Sequence, residues 1–527
     1  MKEKKARELC HSFRGIGEEN QGDNKGKASH NPPMDGRLNH SQDTQDPFVH
    51  VFARDGRWFA YDVNTNVILT VEPVLAHLLQ DSLQDSLGQD FSAAEVLEAK
   101  EALKTGQTED GFFLPRTVQL IPHPAAGPGH DQSLRQLILS VTERCNLRCR
   151  YCFHTASRAG YRAHGVVDMT RETAVEATQF FLDRADPDHA PVISFYGGEP
   201  LLVPEVLKSV IESVRCHPRN PEVMLAVDTN GTLMNESMMD LVLEENIFLQ
   251  VSLDGPREIH DRWRRDREGR PTFAVIMENL DRLLSRDPGV APRISFVVTL
   301  TPESDLDAVS SFFAAFPPYL RHGVKEAPRL RVNVADLDDS ISPDGAKNWS
   351  VLRRQLRQAR DTYLEAVGAG ARHLIGPVPR ALFEPGIIKL HHRSRSPLGK
   401  VFTPGGNCRP GQRKLHVTAA GQFQPCEKVG SAEIIGDVAT GIRRPAVTHL
   451  QRAFHESFVD SCQSCWAIRL CGQCFATHQA LNHGDPQARK LACSRMRKRL
   501  EEGLGDLAKI LLMPENARAW LDETVVD

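Results

Sequence analysis

No stretch of this 527-residue chain approaches the roughly 18 to 20 consecutive apolar residues a membrane helix needs, so no spanning segment is expected. The first ten residues, Met1 to Cys10, are basic but have no apolar core behind them, which excludes a secretory signal of the usual kind. A cytoplasmic protein is therefore expected. Charge of one sign is also missing: the net charge is -4, without the basic excess of a general nucleic-acid binder, and neither nucleic acid nor membrane is an expected partner. Residues 1 to 46 lack apolar periodicity and are rich in Gly, Asn, Asp, Gln, Lys and His, the composition of a disordered leader.

Beyond that leader the composition is that of a globular protein. Hydrophobic residues make up 40% of the chain, enough for packed cores, and the length suits roughly three to four domains. In a reducing compartment its 12 cysteines read as metal or cluster ligands rather than disulfides. Ten of them fall into two sets, three near position 150 and seven after position 400, which leaves Cys10 and Cys216 as ordinary thiols.

Strand-like alternation begins at Phe48–Phe52, continues in Trp58–Asp62 after the turn Asp55-Gly56, and returns over Val67–Val71. Helical patterns follow at 73–82 and 92–104, the second opened by the capping box Ser92/Glu95. These elements place a first domain at 47–120, ahead of a Pro/Gly linker at 121–133. Strands near 137–141, 192–196, 223–228, 248–253, 294–300 and 329–334 then alternate with helical patterns. Six such repeats over 134–336 predict an α/β fold, a partial (β/α)6 TIM-like barrel whose sites lie at the C-terminal strand ends. A helical bridge is expected over 337–400, with 345–369 its clearest part, then a cysteine-rich domain over 401–500 and a tail over 501–527.

Directly after the first barrel strand come Cys145, Cys149 and Cys152, in C-x3-C-x2-C spacing. An iron-sulfur cubane normally takes four cysteines, so three leave one iron free for a non-protein ligand. A zinc loop is the alternative, but His154 stands too close to Cys152 for the usual ligand separations. With Tyr151 before the third cysteine, the loop resembles that of the radical S-adenosylmethionine (SAM) enzymes. The resemblance implies that the open iron of a [4Fe-4S] cluster binds SAM and that reductive cleavage yields a 5′-deoxyadenosyl radical. Gly197, Gly198, Glu199 and Pro200 close the second strand. Glycines allow close backbone approach to a ligand, and a carboxylate suits an ammonium group. They match the family's G-G-E-P, which holds the methionine amino group. Polar groups at the next strand ends, Asn230 in Asp228–Thr232 and Ser252 and Asp254 in Ser252–Pro256, suit a ribose and a carboxylate. By resemblance Ser252 and Asp254 lie near the ribose, and Arg264 of the stretch His260-Asp261-x-x-Arg264 grips the SAM carboxylate, a task that suits a bidentate guanidinium. The competing reading makes Arg264 part of a solvated arginine-rich face, with Arg262, Arg265, Arg267 and Arg270 around it.

The second set is Cys408, Cys426, Cys462, Cys465, Cys471, Cys474 and Cys493. Cys408 and Cys426 flank a hairpin made by Lys414–Val417 and Gln422–Pro425. The x5 spacer between Cys465 and Cys471 is too short for a zinc ribbon. The set resembles the SPASM domain, although Cys471-x2-Cys474 is one residue shorter than the family's spacing. That resemblance implies two auxiliary iron-sulfur clusters, expected to be of the [4Fe-4S] type. Cys462, Cys465, Cys471 and Cys493 would hold one, and Cys408, Cys426 and Cys474 the other, which would keep an open iron. His391 and His392, in the basic run Lys389–Arg395, read as surface residues.

Together the motifs imply a peptide or protein maturase of the radical SAM/SPASM type. The first domain resembles a winged-helix-like peptide-recognition domain that would pair its sheet edge with a leader peptide, or it is a cap that packs on its neighbour. A Cys-sulfur-to-carbon thioether is the favoured product. Oxidation of Cys or Ser to formylglycine is the alternative within the same chemistry, and a non-catalytic cluster-bearing scaffold is the alternative outside it. A substrate peptide and a flavodoxin- or ferredoxin-type reductant are the implied partners.

Overall fold

The computed structural model of the chain describes residues 46–80, 91–122, 133–152, 154, 163–219, 222–335, 345–404, 409–430, 432–474 and 485–524. The expected leader, most of the expected linker, Cys10 and Cys408 lie outside them.

Strands β1 (Val49–Arg54), β2 (Arg57–Asp62) and β3 (Val67–Val71) form an antiparallel meander, followed by helices α1 (Pro73–Gln80) and α2 (Ala93–Thr105). The Ser92/Glu95 capping box is present in full at the start of α2. Alternation along these strands sends Val51, Ala60, Leu69 and Val71 toward the helices. Phe52, Phe59, Tyr61 and Ile68 face the other way, into a second core that the C-terminal region completes.

After the two-residue strand β4 (Gln119–Leu120) comes the central sheet. It carries β5 (Leu134–Thr142), β6 (Val192–Gly197), β7 (Met224–Thr229), β8 (Phe248–Ser252), β9 (Ile294–Leu300) and β10 (Arg329–Val334) as six parallel neighbours in chain order. The strands coincide with the six expected ones to within a few residues at each end. Between them run α3 (Arg171–Leu182), α4 (Pro204–Arg215), α5 (Glu236–Glu244), α6 (Arg257–Trp263), α7 (Phe273–Arg286), α8 (Leu306–Ala314) and α9 (Pro317–Arg321). Their apolar stripes have helical period: Val206, Leu207, Val210, Ile211 and Val214 of α4, and Ile276, Leu280, Leu283 and Leu284 of α7, are buried against the sheet. Burial of each such side chain stabilises the barrel by roughly 1.5–3 kcal/mol.

The sheet extends further than the six repeats predict. Beyond the two-residue strand β11 (Val401–Phe402), which pairs with β4, β12 (Arg413–Val417) lies parallel to β5 on its free side. The hairpin partner β13 (Gln422–Gln424) follows, then the short β14 (Gly436–Asp437) and β15 (Gly441–Ile442). The hairpin read from the sequence is therefore a continuation of the barrel wall. It seats His416 in the core, with its imidazole against Ser140 Oγ at 2.8 Å and Gln424 Oε1 at 3.1 Å.

The long helices α10 (Gly345–Gly368), α11 (Pro377–His391), α12 (Arg444–Gln463) and α13 (Pro486–Leu511) make up most of the rest of the described chain, with short helical turns at Arg372–Leu374, Trp466–Arg469, Glu515–Arg518 and Trp520–Glu523. The expected boundary at 500 falls inside α13, and the start of the expected tail is this helix's most buried part. Leu504, Leu507 and Ile510 pack on Phe52, Phe59 and Ile68 of the N-terminal sheet. His391 and His392 are tied to the C-terminal segment, on Asp522 Oδ1 at 2.7 Å and the Leu521 carbonyl at 2.9 Å. No helix among the described residues is long and apolar enough to cross a membrane.

Candidate functional site

A cavity of about 730 Å³ runs through the barrel, from residues near the strand starts, such as Gln136 and Phe248, to residues beyond the strand ends. Cys145, Cys149, Cys152 and Tyr151 line it, as do Gly197, Gly198, Asn230, Ser252 and Arg264. Glu199, Pro200 and Asp254 are buried behind this surface.

The cysteine loop is held from outside. Arg148 and Arg150 donate backbone N–H groups to the carbonyls of Arg265 and Trp263, at 2.8 and 2.9 Å. The guanidinium groups of Arg148 and Arg267 both donate to the Cys145 carbonyl, at 2.9 and 2.8 Å. Asn146 Nδ2 reaches Thr232 Oγ1 at 2.8 Å, and its Oδ1 accepts from Asn230 Nδ2 at 2.8 Å. From the sequence Asn146 has no assigned role and Arg267 belongs only to the arginine-rich face around Arg264, yet both brace the loop. The amide's position inside the cysteine spacing was the one signal for it.

Burial raises the Cys145 thiol and pushes Cys149 up to about 11, while the Arg264 guanidinium works in the opposite direction at both. Thiols raised in this way ionise readily beside a bound metal cation, a part that iron would fill here. The Leu147 N–H, 3.4 Å from Cys145 Sγ, is placed to favour a charged sulfur.

Arg264 is 7% exposed, which sets it apart from Arg262 and Arg270 on the surface and removes the solvated-face reading for this position. Its Nη1 donates to Tyr151 Oη at 2.8 Å, and Tyr151 Oη donates to Asp254 Oδ2 at 2.6 Å. Asp254 Oδ1 accepts from the Thr299 N–H at 3.0 Å. Arg264 Nε is buried without a partner among the described residues, so a donor is left beside the cysteine loop for a bound anionic group. His260 and Asp261 do not face the cavity. The His260 imidazole contacts Thr272 Oγ1 at 3.0 Å and is kept neutral by burial and by Arg264, while Asp261 Oδ1 accepts the N–H groups of Thr272 and Phe273 at the start of α7.

Besides the ligand contact expected from their motif, Glu199 and the two glycines, Gly197 and Gly198, which line the cavity, have a structural duty. Glu199 accepts from Leu201 N–H at 3.1 Å, Thr229 Oγ1 at 2.7 Å and Asn230 N–H at 2.7 Å, so its carboxylate ties the ends of β6 and β7 together. A Cβ on Gly197 would stand 2.3 Å from the Thr142 carbonyl, and one on Gly198 2.0 Å from the Arg144 carbonyl. The close approach is to the cysteine loop's own backbone, with Gly198 N–H on Thr142 O and Glu199 N–H on Arg144 O, both at 2.8 Å.

Burial lifts Glu199 to about 7 against these donors, which favour the anion. A folded-state value above the unfolded 4.5 means that the folded protein binds more protons, so stability falls as pH rises from about 4.5 to about 7 and is level above that. Glu199→Gln cannot titrate and turns an amide N–H toward a donor. Its stability deficit against wild type should be widest near pH 5 and narrow toward pH 8, by up to about 3 kcal/mol, in urea denaturation at the two pH values.

Residues 139–311 match the profile of the Radical SAM superfamily. The barrel is a radical SAM domain. Over 186 residues the chain is 31% identical to the cysteine-type anaerobic sulfatase-maturating enzyme of Clostridium novyi, covering 34% of this chain and 48% of that protein. It is 27% identical over 148 residues to the serine-type enzyme of Bacteroides thetaiotaomicron, covering 28% and 36%. The matches thus span about half, or less, of these relatives' length. Among solved structures, native anSMEcpe with bound AdoMet is similar at a TM-score of 0.47 and 21% identity, covering 70% of this chain and 98% of that one.

Beyond the radical SAM domain, Cys462, Cys465, Cys471 and Cys493 line one pocket of about 30 Å³ between α12 and α13. Burial pushes Cys462 up to about 12 and Cys471 to about 11, and neighbouring cysteines add to both shifts. Cys426 and Cys474 are not among the residues that line this pocket. Cys426 packs on the barrel core, and the next two residues, Glu427 and Lys428, line the barrel cavity. Among the described residues no three His, Cys, Asp or Glu side chains are grouped to hold a single ion. A cubane spreads its thiolates over four irons and needs no such close grouping. The loop between Cys465 and Cys471 also clasps the N-terminal sheet. Trp466 stacks on His50 with ring centroids 3.8 Å apart, and Arg469 donates to the carbonyls of Val63 and Asn64 at 3.1 and 2.9 Å.

Proposed function

We propose that the protein is a radical SAM peptide or protein maturase that removes a hydrogen atom from one residue of a ribosomally made substrate. The observation that carries this reading is the meeting of Cys145, Cys149 and Cys152 with the Gly197-Gly198 turn and Arg264 on a single barrel cavity. The three thiols would hold a [4Fe-4S] cluster, and Arg264, with an uncommitted Nε–H, would take the SAM carboxylate. Asn230 and Ser252 would meet the remaining polar groups of SAM. Tyr151 and Asp254 position Arg264, and Glu199 and Pro200 shape the turn behind the site. Reductive cleavage of bound SAM would supply the radical chemistry. The chain's own part is to bury that site inside the barrel wall, away from water, and to offer one C–H bond to it.

The cysteine-rich region supports two auxiliary clusters in this reading, one on Cys462, Cys465, Cys471 and Cys493 and one on Cys408, Cys426 and Cys474. The second, next to a cavity-lining segment, would bind substrate sulfur or accept an electron. A flavodoxin- or ferredoxin-type donor would reduce the barrel cluster. The N-terminal meander with its helices fits a winged-helix-like recognition domain, and β3 ends the strand order, where an extended leader segment would add.

A Cys thioether is the proposed product. Formylglycine formation is the second reading, favoured by the sulfatase-maturating names of the matched relatives. Anaerobically reconstituted protein with dithionite and SAM should release 5′-deoxyadenosine, and absence of release from cluster-loaded protein would leave only a scaffold. Co-expression with a cysteine-bearing peptide encoded beside the gene separates the two products by mass: loss of two hydrogens for the cross-link, an aldehyde for formylglycine.

A further inference from the structure

The inner face of β10 is charged. Its alternating residues Arg329, Arg331 and Asn333 line the barrel cavity beside Ser295, Val297 and Thr299 of β9, their partners in register. The two arginines are exposed to the cavity and make no hydrogen bond or ion pair with a described residue. β10 ends the central sheet, and the wall on the other side of β5 brings two more cations to the same cavity, Lys414 of β12 and Lys428.

The acids facing them are Asp228, which Gln250 Nε2 contacts, and Glu427, 3.5 Å from Lys414. Two other cations of the cavity are already engaged: Arg264 by Tyr151, and Arg293 by the carbonyls of Val242 and Ile247. Positive charge thus exceeds negative on the cavity wall in a chain whose net charge is -4. Cations focused in a low-dielectric cleft select for anionic groups.

We infer that the substrate segment entering the barrel is acidic, and that Arg329 and Arg331, side by side on the edge strand, hold its carboxylates while the reacting residue faces the cysteine loop. The inference rests on the maturase reading and adds the chemical class of its substrate. Guanidinium groups two residues apart on one strand face suit two carboxylates at the same spacing in an extended peptide.

The test uses full-length reconstituted protein and a fluorescein-labelled peptide in which glutamates alternate with alanines around one cysteine. Its control is the same peptide with glutamine in place of every glutamate. Anisotropy should show the acidic peptide binding about tenfold more tightly at about 50 mM salt, with the difference fading at about 500 mM. In the double variant Arg329→Gln/Arg331→Gln that preference should be lost, with iron content and the cluster absorbance as the check on folding. Equal affinity for both peptides, binding of neither, or a preference that survives the double substitution overturns the inference. So does loss of peptide-free SAM cleavage in the variant, which would assign the arginines to SAM. Failure of the wild type to cleave SAM is a different result and strikes the maturase reading instead.

Discussion

Cys149→Ala is expected to reduce 5′-deoxyadenosine release from SAM to background, a loss of at least about a thousandfold, because the chemistry has no second route in the protein. Cys149 is buried to the same degree as Cys145, and both line the cavity together with Cys152. Two thiolates cannot retain a cluster that already lacks one protein ligand. Iron in the reconstituted variant should fall by about a third if two auxiliary clusters remain on the C-terminal cysteines. The fold should survive, since a small side chain replaces a thiol outside the main barrel core. Iron analysis together with product assay checks this, and a variant that kept both full iron and turnover would remove the cysteine loop from the mechanism.

Gly198→Ala should be nearly as damaging, though no cofactor contact is altered directly. The added Cβ would lie 2.0 Å from the Arg144 carbonyl oxygen and 2.5 Å from its carbon, both backbone atoms that cannot swing aside. Relief requires the turn to part from the cysteine loop, and the hydrogen bonds Gly198 N–H to Thr142 O and Glu199 N–H to Arg144 O would be lost with it. A clash of this kind costs about 3 kcal/mol or more if the turn stays in place. The loop beginning at Arg144 would shift with the turn, so SAM cleavage should fall at least about a hundredfold, with weaker iron retention at the barrel site. Denaturation midpoints and iron content measured on the same preparation check the prediction. An alanine variant with wild-type stability and turnover would show that the turn and the loop are independent.

Much of the architecture was legible because barrel strands are local events. Runs such as Leu137–Val141 and Ile294–Leu300 are apolar and β-branched, are bounded by turn residues, and recur with helical patterns between them. The cysteine sets were legible because ligand type and spacing are written along the chain. The duties of individual motif residues were less so. Two glycines before an acid signal close approach, but not to what. Here the neighbour is the Thr142–Arg144 backbone, and the acid answers to Thr229 and Asn230. Among a run of arginines, sequence cannot say that Arg264 turns inward while Arg270 stays exposed, because that choice depends on where the chain leaves α6. The hairpin over 414–425 is legible in the sequence, but not its pairing with β5, and the boundary placed at 500 cuts through a helix whose far end closes the N-terminal core.

Residue order alone thus settled the candidate ligand set, its three-plus-seven division and the alternation that builds a parallel sheet, since each follows from residue identity over short separations. What those groups face was left to the packing of the whole chain. The register of β10 against β9, the addition of β12 beside β5 and the inward turn at Arg264 gather Arg331, Lys414, Asp228 and the cysteine loop around one cavity, from segments far apart along the chain. Side-chain direction in a sheet alternates with every residue, so which charges meet inside a barrel is set by pairing and closure of the wall, and neither is written in any one segment.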